Sequence, residues 1–339
     1  HSLTHSLTHS TFGHRYNWAE TLLYLDLSRC SGVRVAPVLE AIALLQNLRV
    51  LNVSGTKLAH LPPLRKLEVL HAEGTRVTSA AVTQLSHHSR FLRELYLTQT
   101  EVDVDMCSAL CIMPRLEALS IAACPRLTAG AATTRGSPRV VDFFERHFFE
   151  LPTQRLRWLD VSMVAAGDDF ARRALERFPA LEFLGVGSTR SEPRMSPLPS
   201  RLTRGVQIGC HTQGFIGIAV LVVNSSLCLH RNHIQLLLRD LYLNTPRGGE
   251  IDAPQPLLVQ LLAKLTAVAW HLMKDNSIIL LTTAIMYYVL QQLGDPDLLQ
   301  ERREALCVVK RVLAIHSDES QLCKNASLIL LLFDPTRET

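Results

Sequence analysis

The sequence predicts an α/β leucine-rich-repeat solenoid followed by an all-α armadillo-like solenoid, and three observations predict it. A template of the form L-x-x-L-x-L-x-x-[C/N/T] recurs seven times before residue 190. Beyond residue 229 the leucines change to helical spacing, three and four apart, in two copies offset by 43 residues. The chain is also apolar for its length of 339 residues, with 47% hydrophobic and 19% charged residues and a mean hydropathy of +0.13. A repeat array explains that composition, because each unit buries a face against its neighbour. Apolar runs such as 218–223 fall far short of the roughly 20 residues that cross a bilayer, so no membrane association is expected.

The template matches begin at Leu22, Leu48, Leu67, Leu92, Leu116, Leu156 and Leu181, separated by 26, 19, 25, 24, 40 and 25 residues. Most of these spacings fall in the roughly 20–29-residue range of leucine-rich repeats. The 19-residue unit carries Pro62 and Pro63 and is expected to lack a helix, whereas the 40-residue unit holds an insertion around 133–150. Side chains alternate along a strand, so Leu25 and Leu27 are expected to point inward and Tyr24, Asp26 and Ser28 outward. The closing residue of each template, such as Cys30, Thr56 or Cys124, is expected to turn the chain where only a small or amide side chain fits. That gives Cys30 and Cys124 a structural role rather than a metal-binding one.

Outward residues of stacked strands form rows on the expected concave face. One row reads Tyr24, Val50, Val69, Glu94, Ala118, Trp158, Phe183 and the next Asp26, Asn52, His71, Tyr96, Ser120, Asp160, Gly185. Tyr and Trp are favoured binding anchors. Tyr24, Asp26, His71, Tyr96, Trp158 and Asp160 are therefore the candidate protein-binding residues. Two readings of the aromatic row stay open: anchors for a partner, or side chains covered by the insertion or the second array.

Residues 1–19, opening with the four-residue repeat HSLTHSLTHS, read as a disordered N-terminus; 20–189 as the leucine-rich array; 190–205 as a linker; and 206–339 as the helical array, truncated. The stretch 188–204 is rich in Ser, Pro and Arg and breaks both periodicities. Its cluster of Arg190, Arg194, Arg201 and Arg204 reads as solvated linker. With a net charge of +4 and no run of five like charges, no nucleic-acid partner is expected. The segment 206–229 has no clear period and is expected to form a helix joining the arrays. Two helices follow within 257–293 around a polar break at 274–276, and the layout returns over 303–333, with Asp318 matching Asp275. A weaker copy lies at 230–244. Periods of about 40–47 residues with two or three helices mark armadillo or HEAT units.

No phosphate-binding loop, dinucleotide glycine pattern, zinc-protease helix or nucleophile elbow is present. Eight cysteines dispersed over a long chain do not form a secreted disulfide framework. Cys107 and Cys111, four apart, read as a small apolar pair on a helix. Asp168 and Asp169 read as the start of a helix ending near Phe178. The glycosylation sequons at Asn52, Asn224 and Asn325 read as chance matches in an intracellular, cytoplasmic or nuclear, protein. A non-enzyme without cofactor or metal is the expectation.

The segment DNSIILLTTAIMYYVL, answered one period later by DESQLCKNASLILLLF, resembles the repeats of the Zyg-eleven and Zer-one family. The carrying residues are Gln321, Lys324, Asn325, Leu328 and Leu330, and the order of the two arrays agrees. The resemblance spans about 22–333. It implies a substrate-recognition subunit of a cullin-two RING ubiquitin ligase, attached through elongins B and C, whose helical array captures substrate proteins with an exposed N-terminal glycine. Catalysis would then belong to partner enzymes. Two departures stand out. No counterpart of the elongin-binding box precedes Leu22, and the family's Trp-Asn glycine pocket would fall one repeat beyond Phe333, so the sequence reads as cut short at both ends. At the matching helix position stand Met286, Tyr287 and Tyr288, and glycine-degron binding by this chain alone is expected to fail. The competing expectation is a leucine-rich and armadillo scaffold or adaptor unconnected with ubiquitin.

Overall fold

A computed structural model describes residues 18–28, 30, 35–128, 138–152, 155–164, 166–167, 169–187, 189, 206–210, 214–224, 231–246, 250–293 and 299–333. The linker expected at 190–205 and residues 1–17 of the N-terminus expected to be disordered lie outside these residues. The chain divides into two compact units, 1–208 with 228–230, and 209–227 with 231–339.

The first unit is built on an eight-stranded sheet whose order follows the chain, β1 (Tyr24–Asp26), β2 (Val50–Asn52), β3 (Val69–His71), β4 (Glu94–Tyr96), β5 (Ala118–Ser120), β6 (Trp158–Asp160), β7 (Phe183–Gly185) and β8 (Gln207–Gly209). β1 to β7 pair in parallel, each template match supplying one strand. The register sets Leu25, Leu51, Leu70, Leu95, Leu119, Leu159 and Leu184 in one line. From Leu51 onward all six are fully buried. This leucine line is the physical reason for the repeat, since a one-residue slip in any strand would put its leucine into water. Strand β8 corrects the sequence reading, which gave 206–229 to a joining helix. Gln207 N donates to Glu182 O at 2.8 Å and continues the sheet without a leucine template.

Helices connect some of the strands: α1 (Trp18–Thr21), α2 (Val35–Ala43), α3 (Ser79–His88), α4 (Met106–Cys111), α5 (Pro125–Thr128), α6 (Pro138–Phe149) and α7 (Phe170–Arg177). α1 begins within the segment read as disordered. No helix lies between β2 and β3, where Pro62 and Pro63 sit, as expected. The insertion between β5 and β6 contributes α6, whose Phe144 and Phe148 are buried against Phe170 of α7 with ring centroids 6.2 and 5.6 Å from it.

The template's closing residue works through a hydrogen bond. The hydroxyls of Thr56, Thr75, Thr100 and Thr189 donate to the carbonyls of Val53, Ala72, Leu97 and Val186, each three residues back, at 2.6–2.8 Å. Each turn is preceded by a residue with positive φ in five repeats: Gly55 (70°), Gly74 (64°), Gln99 (58°), Ala123 (52°) and Met163 (63°). Cys124 is buried, and its thiol donates to Leu97 O of the preceding repeat at 3.1 Å. Burial pushes that thiol up to about 11, so it stays protonated. Cys30, expected in the same ladder, is exposed at the open edge.

A second ladder runs along the residues just before the strands. In strand order they are Arg49, Glu68, Arg93, Glu117, Arg157 and Glu182, strictly alternating in sign. Arg49 pairs with Glu68 at 3.1 Å. Arg93 binds both carboxylate oxygens of Glu117, at 3.0 and 2.8 Å, and Arg157 binds Glu182 at 2.6 Å. Glu68 also acts on Arg93, and Arg157 on Glu117, so Glu68 and Glu117 each face a cation on either side.

The second unit is helical: α8 (Gly214–Asn224), α9 (Arg231–Leu243), α10 (Gln255–His271), α11 (Asn276–Gln292), α12 (Leu299–Ile315) and α13 (Ser320–Leu331). α8 pairs with α9, α10 with α11 and α12 with α13; α8, α10 and α12 form one layer and α9, α11 and α13 the other. Three helical hairpins are thus stacked. α8 is an ordinary member of the stack rather than the joining helix expected from sequence. Ala269, Met273, Ile279, Val308, Val312 and Leu322 form a shared core between the last two hairpins.

Polar ties join residues about one period apart, 42 or 43 positions. His316 Nε2 lies 2.6 Å from Met273 O, Asn276 Nδ2 donates to Glu319 at 2.7 Å, and Asn325 Nδ2 donates to Thr283 Oγ1 at 3.3 Å. Asp275 caps α11 through Ile278 N. The cap position of α13 is Glu319, one beyond the Asp318 that the sequence matched to Asp275.

Candidate functional site

The register of β1 to β7 puts the two outward rows where the alternation predicts them, on the sheet face opposite the leucine line. The six singled-out residues fall into two groups. Tyr24 and Asp26 stand on the edge strand β1, where Tyr24 is 57% exposed. Asp26 accepts from Ser28 N at 2.7 Å, Asn52 Nδ2 at 3.3 Å and the Tyr24 hydroxyl at 3.4 Å. Partial burial raises its carboxyl, but these donors outweigh it and hold the pKa below the usual value.

His71, Tyr96, Trp158 and Asp160 belong to the second group, spread over β3 to β6. The His71 and Tyr96 rings stack with centroids 4.5 Å apart and planes 2° from parallel. Tyr96 meets Trp158 edge-on, with centroids 5.6 Å apart at 66°. Trp158 stacks on Phe183 at 4.8 Å and 22°. One continuous run of ring contacts therefore crosses five strands. His71, Tyr96 and Trp158 are half-buried, whereas Phe183 is buried. Phe183, which the sequence reading did not select, completes the platform by supporting Trp158 from one side.

Small residues make this possible. Strand β5, between Tyr96 and Trp158, contributes only Ala118 and Ser120 to the face, both buried beneath the rings. At the far side Gly185 leaves room for Asp160, because a Cβ there would overlap the Asp160 carboxylate. Asp160 Oδ1 accepts from Ser162 N at 2.9 Å.

The electrostatics are one-sided. The outward residues of β1 to β7, together with those two positions further on, include Asp26, Glu73, Glu94 and Asp160 and neither Lys nor Arg. Glu73 is 1% exposed, accepts from the Ser54 hydroxyl and lies 3.4 Å from His71 Nδ1. The Tyr96 hydroxyl donates to Glu94 Oε2 at 2.9 Å. Burial first, then the neighbouring Glu94 and Glu73 carboxylates, push the Tyr96 phenol far up, so it remains a neutral donor. Glu94 and Glu73 were missed as site residues, although both stand at outward positions of the template and could have been found by asking which charges share a face with the aromatics.

No other grouping in the described residues points to chemistry. They contain no cluster of three or more His, Cys, Asp or Glu placed to hold a metal ion. Among them no helix is long and apolar enough to cross a membrane. Cys107 of α4 is buried and its thiol is pushed up to about 12, with burial the main cause and Cys111 adding to it. Asp169 sits at the N-cap position of α7, paired with Arg172 at 3.5 Å rather than capping through its side chain. No protein-family model matches this sequence, and no curated protein matches it.

Proposed function

We propose that this chain is a non-catalytic recognition protein, a leucine-rich array followed by an armadillo-like one, which holds target proteins on the outer face of its sheet. The observation that carries this reading is the His71–Tyr96–Trp158–Phe183 surface. Aromatic side chains bring large contact area at small entropic cost, and Tyr and Trp dominate binding hot spots. Here they are held rigid by ring contacts and by Glu94, so little ordering is left for a partner to impose.

In its specific form the proposal is a substrate receptor of a cullin-two RING ubiquitin ligase, docked through elongins B and C, acting in the cytoplasm or nucleus. What supports it is the resemblance over 22–333 and the order of sheet unit before helical unit. Asn325, one of the residues carrying the resemblance, also has a stated role, tying α13 to Thr283 of α11. The test is affinity capture of the full-length protein from cells, with elongin C and a cullin as the expected co-purifying proteins; recovery of neither removes the ligase role. An adaptor unconnected with ubiquitin would use the same face, and the Tyr96–Trp158 contact supports it equally.

A further inference from the structure

The face that the preceding proposal treats as a binding surface has a chemical signature of its own. On β4, Glu94 and Tyr96 stand two residues apart; on β6, Trp158 and Asp160 do the same. The register puts Glu94 and Trp158 in one row and Tyr96 and Asp160 in the other. The four side chains thus mark the corners of a rectangle two strands wide, about 9–10 Å at normal strand spacing. The aromatic pair lies on one diagonal and the carboxylate pair on the other, above Ala118 and Ser120.

We propose that this rectangle binds an arginine or lysine side chain presented by an extended peptide segment. His71 covers one face of Tyr96 and Phe183 one face of Trp158, and the two rings meet edge-on, so the ring face left open on this pair offers the cation a π-surface. A cation within about 6 Å of such a ring is attracted by its quadrupole. Glu94 and Asp160 supply charge on either side, and a planar guanidinium matches a carboxylate in two hydrogen bonds. No Lys or Arg stands at any outward position of the face to compete. The nearest row of cations, Arg49, Arg93 and Arg157, is paired with Glu68, Glu117 and Glu182. Buried Glu73, bonded to the Ser54 hydroxyl and 3.4 Å from the His71 imidazole, adds a third carboxyl group to this face.

Length favours a peptide over a small amine. From His71 on β3 to Trp158 on β6 the half-buried rings cross three strand spacings, about 14 Å, which an extended chain of roughly four residues spans. An anion or nucleic-acid strand is disfavoured by the Glu73, Glu94 and Asp160 carboxylates.

The inference rests on the reading of this face as a binding surface, and the experiment separates the two. Linear peptides are selected from a random display library on the full-length chain, and the enriched ones are titrated calorimetrically against Y96A/W158A and E94Q/D160N double variants. An E176Q variant, on α7, serves as the remote-charge control. The expected result is enrichment of Arg- or Lys-containing peptides whose affinity falls at least tenfold in both double variants and is unchanged in the control. Replacing the key arginine by citrulline is expected to cost a similar factor. Enriched peptides that need Tyr96 and Trp158 but carry no cation would overturn the cationic specificity and leave the binding face standing. Peptides indifferent to Tyr96 and Trp158 would remove both.

Discussion

The ring of Tyr96 touches that of Trp158, centroids 5.6 Å apart, although strand β5 runs between their strands. The contact exists because β5 presents Ala118 and Ser120 there, and neither reaches up to separate the rings.

Ala118→Leu is therefore expected to wedge the two rings apart. Overpacking at a buried site costs about 1–3 kcal/mol, so the sheet unit stays folded while binding through the platform weakens. Thermal unfolding together with peptide titration checks this. An Ala118→Leu variant that binds as well as the parent would mean that the ring contact is incidental.

In five repeats the residue before the closing position is left-handed whether or not it is glycine. Gly74→Ala meets no atom closer than 4.0 Å, so its cost comes from backbone conformation alone, about 1–2 kcal/mol. Ala123→Gly, at φ 52°, is expected to be neutral or stabilising by up to about 1 kcal/mol. Denaturant unfolding of the two variants provides the comparison, and a loss in Gly74→Ala with no loss in Ala123→Gly is the expected outcome.

The Arg–Glu ladder gives the sheet unit a pH signature. The hydrogen bond from Arg93 holds the Glu117 carboxyl below its ordinary value of 4.5. A carboxyl with a depressed folded pKa adds stability that is complete above the unfolded value and disappears as pH falls through the folded one. Glu117→Gln is thus expected to be less stable than the parent at pH 7 and equal to it well below pH 4.5, with the gap narrowing at high salt. Urea unfolding at several pH values checks it; a gap that persists at acid pH would assign the loss to packing.

On α11, whose residues 286–288 stand at the position expected to match the glycine-pocket helix one repeat beyond Phe333, Met286 is fully buried, and Tyr287 and Tyr288 meet edge-on at 5.4 Å. Calorimetry with a glycine-started peptide is expected to show no micromolar binding to this chain. Such binding would assign the helical unit a pocket built from other residues.

Much of the first unit was legible in the sequence because one constraint, a leucine pointing inward from each of β1 to β7, repeats and fixes the register. That register gave both outward rows, including Tyr96 and Trp158. β8 was illegible because Gln207, Ile208 and Gly209 lack the template and follow a Ser-, Pro- and Arg-rich stretch. The stacked hairpins were legible from 43-residue equivalences such as Asp275 and Asp318, except α8, whose apolar residues surround it with no stripe to read. The diagonal Tyr96–Trp158 contact depends on strand spacing and on small residues in a third strand, which a row-by-row reading does not combine. The alternating Arg49, Glu68, Arg93, Glu117, Arg157 and Glu182 were present in the sequence. They emerge only when each template is aligned one residue before its strand.

The most direct test of the account is the binding of a partner, identified by capture on the full-length chain, to the Y96A/W158A variant with its fold verified by circular dichroism and thermal unfolding. Loss of binding with a retained cooperative transition is the predicted result. Undiminished binding by a folded variant would contradict the account.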